Sequence, residues 1–174
     1  MKLRIAGTEN DSIVDGPGLR FTIFTQGCPH HCPGCHNPQT HDFNGGKEVD
    51  TAELLEKIRS NPLLDGVTFS GGEPFCQAKP LAALGRALRE MGLHIISYTG
   101  FTYEQLQAAA NEENGYAALL SVCDYLVDGR FEEDKKSYLL HFRGSSNQRF
   151  IDVPASLAAG HAVLAEALTL PESL

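Results

Sequence analysis

The sequence predicts an α/β fold: a partial, open β/α barrel of about five or six mostly parallel strands. Three observations carry this reading. Strand and helix signals alternate along the chain, and a parallel strand pair needs a crossover that a helix supplies. A βαβ unit takes roughly 30 residues, so the 174 residues hold five or six strands, whereas a closed eightfold barrel takes about 250. The two stretches richest in reactive residues, Cys28 to Cys35 and Ser70 to Pro74, each directly follow a strand signal, where parallel sheets place their functional groups.

The elements read in order. Arg20 to Gln26 (RFTIFTQ) is β-branched and aromatic, follows the turn-forming Asp15-Gly16-Pro17-Gly18, and predicts a strand. Asp50, with Glu53 three positions on, caps a helix whose apolar face is Leu54, Leu55 and Ile58 and which should stop near Asn61-Pro62. Gly66 to Ser70 predicts a short buried strand. Pro80 suits a first helical turn, and Leu81, Leu84, Leu88 and Met91 recur at helical spacing until Gly92. His94 to Tyr98 is the next strand, Thr102 with Gln105 a capping box, and Tyr125 to Asp128 another strand. Beyond Arg130 the pattern weakens: SYLLHFRG and RFIDV read as strands, and the Ala-rich tail from Ala158 to Leu168 as helix.

Bulk properties narrow the class. A length of 174 residues suits one domain spanning 1–174. With 42% apolar and 21% charged residues, the composition is that of a folded protein. No run approaches the ~18 apolar residues of a membrane span, and the start turns polar early, so the cytoplasm is the expected location, with no membrane partner. A net charge of −8 offers no field for a phosphate backbone, which argues against nucleic acid as a partner. In a reducing cytosol, five cysteines with three inside Cys28 to Cys35 point to metal binding or catalysis rather than disulfides.

Cys28, Cys32 and Cys35 have C-x3-C-x2-C spacing in a loop with Gly27, Pro29, Pro33 and Gly34. A four-iron cluster normally takes four thiolates, so three would leave one iron open to a further ligand. Spacing alone leaves two other readings standing: a structural zinc closed by His30, His31 or His36, or a chance gathering of core cysteines. Cys76 and Cys123 read as small buried side chains. Gly71 and Gly72 permit close backbone approach, and Glu73 is an acceptor for an ammonium group.

The cysteine triad and Ser70-Gly71-Gly72-Glu73-Pro74 together resemble the radical S-adenosylmethionine superfamily, whose fold is a partial barrel of this kind. The resemblance implies two cofactors, a 4Fe-4S cluster on Cys28, Cys32 and Cys35 and S-adenosyl-L-methionine chelating the open iron, with Ser70, Gly71, Gly72 and Glu73 near the methionine amino group. Many members carry an aromatic residue before the third cysteine. Here it is Gly34, so backbone contacts from Gly34 through Cys35 to His36 are expected instead, with the His36 ring as an alternative. Ser97 and Thr99, at a strand end, can reach the ribose or carboxylate or merely form a turn; Asp128 can bond the cofactor or a bound ion, or cap a helix.

A narrower set, DGPGLR (15–20), GCPHHCPGCHNP (27–38), VDG (127–129) and RGSSNQR (143–149), is similar to the family that activates anaerobic ribonucleoside-triphosphate reductase. That resemblance implies an oxidoreductase that reductively cleaves S-adenosylmethionine and leaves a glycyl radical on the large subunit of the reductase. A low-potential donor such as flavodoxin would supply the electron. Arg143, Asn147, Gln148 and Arg149 either bind the cofactor carboxylate or dock the partner. The competing functions are activation of another glycyl radical enzyme of the formate-lyase type, and a non-enzymatic zinc module.

Overall fold

The computed structural model describes residues 1–137, 140 and 142–165. Four strands form the parallel run that the alternation predicted: β2 (Arg20–Thr25), β4 (Gly66–Gly71), β5 (His94–Tyr98) and β6 (Tyr125–Asp128), in that order across the sheet. Helices α1 (Thr51–Arg59), α2 (Ala78–Glu90), and the pair α3 (Tyr103–Ala109) and α4 (Tyr116–Val122) make the crossovers. Their starts are chemically marked. Asp50 accepts from the Ala52 N–H at 3.0 Å, and Thr102 with Gln105 forms the reciprocal capping box.

Three antiparallel strands extend this run: β1 (Lys2–Ser12), β3 (Lys47–Asp50) and β7 (Arg149–Asp152). The sheet therefore has seven strands, ordered β3-β1-β2-β4-β5-β6-β7, and is open, since β3 and β7 are its two edges. Sequence reasoning anticipated β7 within RFIDV and missed β1 and β3. In β1 only Leu3 and Ile5 face the core before the strand turns polar, and β3 buries no residue fully. Backbone pairing, which leaves no apolar signature, holds both.

The tail differs from expectation. The last helix, α5 (Val153–Ala159), starts earlier, where Asp152 accepts from the Ala155 N–H at 3.0 Å, and stops at Gly160 in the left-handed region (φ 78°). Leu164 returns to bridge Ile151. Residues 166–168 of the expected helix, like 138, 139 and 141 of the expected SYLLHFRG strand, lie outside the described residues.

Strand alternation sorts side chains between two faces. Phe21, Ile23, Val67, Phe69, Ile95 and Leu126 join the main core with Leu54, Leu81, Leu88 and Leu119 of the helices. The other face carries a small cluster of Ile96, Val127 and Phe150 and a polar group around Arg20. This buried guanidinium donates to Thr68 Oγ1 (2.7 Å) and to the carbonyls of Pro17 (3.0 Å), Val67 (2.9 Å) and His94 (3.0 Å). Burial pulls its pKa down to about 10. Arg20 thereby pins the Asp15–Gly18 turn beneath the parallel strands. Among the described residues, no helix is long and apolar enough to cross a membrane.

Candidate functional site

A cavity of about 630 Å³ opens at the carboxyl ends of the parallel strands. Of the residues singled out by sequence, it brings together Cys28, Cys32, Cys35, His36, Ser70, Gly71, Gly72 and Thr99. Gly34, Glu73, Ser97 and Asp128 do not line it, each for a physical reason given below.

The cysteine loop leaves β2 through Gly27 (φ 103°), whose N–H donates to Thr40 O at 2.7 Å, while the Cys28 N–H donates to His41 O at 3.1 Å. These bonds fold the loop back on itself, so the sulfurs meet backbone donors rather than solvent alone. The Asn37 N–H points at Cys35 Sγ (3.4 Å). Burial pushes the Cys28 and Cys32 thiols up, and backbone hydrogen bonding from His30 and His31 at Cys28 and from Phe131 at Cys32 pulls them back in part. Gly34 (φ 74°) packs outward instead: a Cβ there would sit 2.8 Å from the Glu133 carboxyl carbon.

The glycines of the second segment serve first to bring two backbones together. The Gly72 N–H donates to Thr25 O (2.8 Å) and the Glu73 N–H to Gly27 O (2.8 Å), carrying the β2–β4 pairing into the cysteine loop. A Cβ on Gly72 would lie 2.4 Å from Gly27 O, and one on Gly71 2.6 Å from the Thr25 nitrogen. The Glu73 carboxylate, expected near a ligand's ammonium group, is engaged by the protein's own donors. It is fully buried, and its oxygens already accept from His30 Nε2 (2.7 Å), Thr99 Oγ1 (2.9 Å to each oxygen), Gly100 N–H (2.8 Å) and Phe75 N–H (3.0 Å).

Ser97 is buried away from the cavity, its hydroxyl donating to Tyr98 O at 3.2 Å. Asp128 makes the capping bond: it accepts the Tyr103 N–H that opens α3 (2.7 Å) and pairs with Arg149, whose Nε is 3.0 Å away. Arg149 also reaches Glu104, Nη1 to Oε1 at 2.9 Å. Asn147 and Gln148 are structural too, donating to Arg130 O (2.8 Å) and Gly129 O (3.0 Å). Of the RGSSNQR side chains, Arg143 and Gln148 line the cavity.

This triad predicts an acid-sensitive fold. Hydrogen bonds from Arg149 hold the Glu104 carboxyl below its usual range. A carboxyl with a depressed folded pKa stabilises the fold above its unfolded value of about 4.3, and that contribution is lost as pH falls through the lower folded value. Arg149→Met should flatten this acid limb in melting curves. It should also cost about 2–4 kcal/mol at neutral pH, because Asp128 stays buried without its cation.

Sequence reasoning passed over several cavity residues. Ile13 and Val14 are exposed at 71% and 72% beside Asp15, whose carboxylate accepts from Ser12 and Thr22. The aromatic wall comes from Phe131, 5.0 Å from the His36 ring, and from Phe142, whose carbonyl accepts from the Tyr98 hydroxyl. His41 also lines the cavity; its Nε2 is buried with no hydrogen-bond partner among the described residues. The unusual pair of exposed aliphatics before DGPG was the one readable signal.

This arrangement, three cysteines held by backbone donors at the mouth of a parallel sheet, defines an iron–sulfur protein, and the 4Fe-4S single cluster domain family matches residues 14–151. Among relatives, the anaerobic ribonucleoside-triphosphate reductase-activating protein of Salmonella typhi is 39% identical over 78% of this chain and 90% of its own length. Its counterpart in Escherichia coli K12 is 38% identical over the same shares. The chain belongs to this family of activating proteins. The pyruvate formate-lyase-activating enzyme of Clostridium pasteurianum is 43% identical over 58% of the chain, which spans only 44% of that relative. A crystal structure of QueE from Escherichia coli covers 59% of the chain at 21% identity with a TM-score of 0.46, too distant a likeness to bear on the assignment.

Family membership brings a 4Fe-4S cluster and S-adenosylmethionine as cofactors. The residues present fit a cluster. Three soft thiols line one cavity, and the Asn37 N–H is aimed at the Cys35 sulfur, the kind of hydrogen bonding that tunes iron–sulfur centres. Among the described residues, no three His, Cys, Asp or Glu side chains converge as they would on a single metal ion; on a cluster, each thiolate takes a different iron.

Proposed function

We infer that this protein activates the large subunit of an anaerobic ribonucleoside-triphosphate reductase, with Cys28, Cys32 and Cys35 as the cluster ligands. The observation that carries the reading is the shared cavity wall of these three sulfurs and the Gly71-Gly72 backbone. Together the bound cofactors supply one-electron cleavage of a sulfonium and removal of a hydrogen atom from a glycine α-carbon of the partner. The protein's own groups bind, orient and enclose. Ser70, Gly71 and Gly72 present backbone and hydroxyl groups to the methionine end. Thr99 contributes from the neighbouring strand end, its hydroxyl fixed by Glu73. The tilted rings of His36 and Phe131 supply an aromatic corner against which an adenine ring can pack, in place of the aromatic residue absent at Gly34. Arg143, buried at the cavity wall with Nη1 on Gln148 O (3.0 Å), offers a cation to a carboxylate.

A low-potential, flavodoxin-like donor in the cytoplasm fits this scheme as the electron source. Electron paramagnetic resonance tests the partner assignment. Reconstituted protein, mixed anaerobically with reductant, S-adenosylmethionine and the reductase, should generate a glycyl radical signal. The 43% identity with a formate-lyase activase favours a second client. A signal on pyruvate formate-lyase and none on the reductase would transfer the assignment to that enzyme.

A further inference from the structure

In the scheme above Glu73 serves only to fix the Thr99 hydroxyl, yet its buried pair with His30 joins the two segments that form the site. We propose that His30 is a positioning residue: its ring, locked onto Glu73, ties the cysteine loop to the carboxyl ends of β4 and β5 and so holds the backbone between Cys28 and Cys32 in place.

Three observations carry the assignment. His30 Nε2 lies 2.7 Å from Glu73 Oε1, with the side chains 4% and 0% exposed. The Phe75 and Gly100 N–H groups and the Thr99 hydroxyl also bond the carboxylate, so the Glu73 side chain is anchored to both strand ends, and His30 is the one cysteine-loop side chain bonded to it among the described residues, beside the backbone tie from the Glu73 N–H to Gly27 O. An acceptor so surrounded needs Nε2 of His30 as the donor. The ring is also walled in. It meets Phe101 edge-on at 4.7 Å, and it lies so close to Gly100 that a Cβ there would be 2.4 Å from His30 Cδ2.

The loop-ordering claim stands on the apoprotein; its consequence for the cluster rests on the function proposed above. The test is amide hydrogen exchange of apoprotein peptides covering residues 28–41, with β4 and β5 peptides as internal controls for folding. His30→Leu should speed exchange in the loop by about tenfold, the scale of one lost buried hydrogen bond. His30→Gln, which keeps an N–H donor at similar reach, should restore it to within about threefold. Adding Glu73→Leu to His30→Leu should bring little further change, since the coupled pair is already broken. In reconstituted protein, iron loss to a chelator should follow the same order. Unchanged loop exchange in His30→Leu, a glutamine variant no better than leucine, or fully additive effects would overturn the proposal. Equal iron retention in all variants would overturn its cluster consequence. A wild-type protein with the exchange pattern but no iron uptake would instead defeat the cluster function and leave the positioning role supported.

Discussion

Replacing Cys28, Cys32 or Cys35 singly with alanine is expected to abolish 5′-deoxyadenosine formation when reconstituted protein is incubated anaerobically with S-adenosylmethionine and a strong reductant. The three are not redundant, because all three sulfurs line the one cavity and on a cluster each thiolate takes a different iron. No spare thiol is placed to substitute. Cys123 is buried in the main core, and Cys76 is not among the cavity-lining residues. Loss of an outer-shell partner alone typically costs 10–100-fold at a metal site, so loss of a ligand should exceed about 10²-fold and reach background. Cys76→Ala and Cys123→Ala serve as controls, and product formation by any of the three loop variants at more than a few per cent of wild type would contradict the assignment.

The second large effect is expected at Gly72. Alanine there puts a Cβ 2.4 Å from Gly27 O and 2.9 Å from Gly27 C, and both atoms are backbone. No rotamer change relieves such contacts. The β4 end must then withdraw from the cysteine loop, breaking the Gly72 N–H to Thr25 O and Glu73 N–H to Gly27 O bonds at 2.8 Å each. Overpacking and two lost bonds together should cost about 3 kcal/mol, a melting shift of roughly 6–12 °C for a chain of this size. Iron uptake should fall with it, because the displaced segment holds Cys28 in place through Gly27. Gly7→Ala meets nothing within 4 Å and should stay within about 0.5 kcal/mol. Equal melting of the two variants would show that Gly72 is not a point of backbone contact.

The parts that sequence made legible are those with a local chemical signature. Asp50 and Thr102 announce helix starts with their own side chains, and Leu81, Leu84 and Leu88 mark a face by spacing. The cysteine loop and Gly71-Gly72 were readable as candidates because few other uses demand those residues at that spacing. What stayed hidden depends on long-range pairing. Glu73 looks like an available acceptor until His30, 43 residues earlier, and Thr99, 26 residues later, are seen to occupy it. Asp128 and Arg149 are likewise 21 residues apart and meet only because β6 and β7 run antiparallel. Gly72 was readable as a close approach, but not that its neighbour is the backbone of Gly27. A carboxylate beside two glycines carries no local mark of whether it serves a ligand or the scaffold.

The most direct measurement is the content of iron and acid-labile sulfide in protein reconstituted and desalted without oxygen. The account predicts about four of each per chain, with a brown protein whose triple alanine variant at Cys28, Cys32 and Cys35 is colourless. One zinc per chain with no iron, or full iron content in the triple variant, would contradict it.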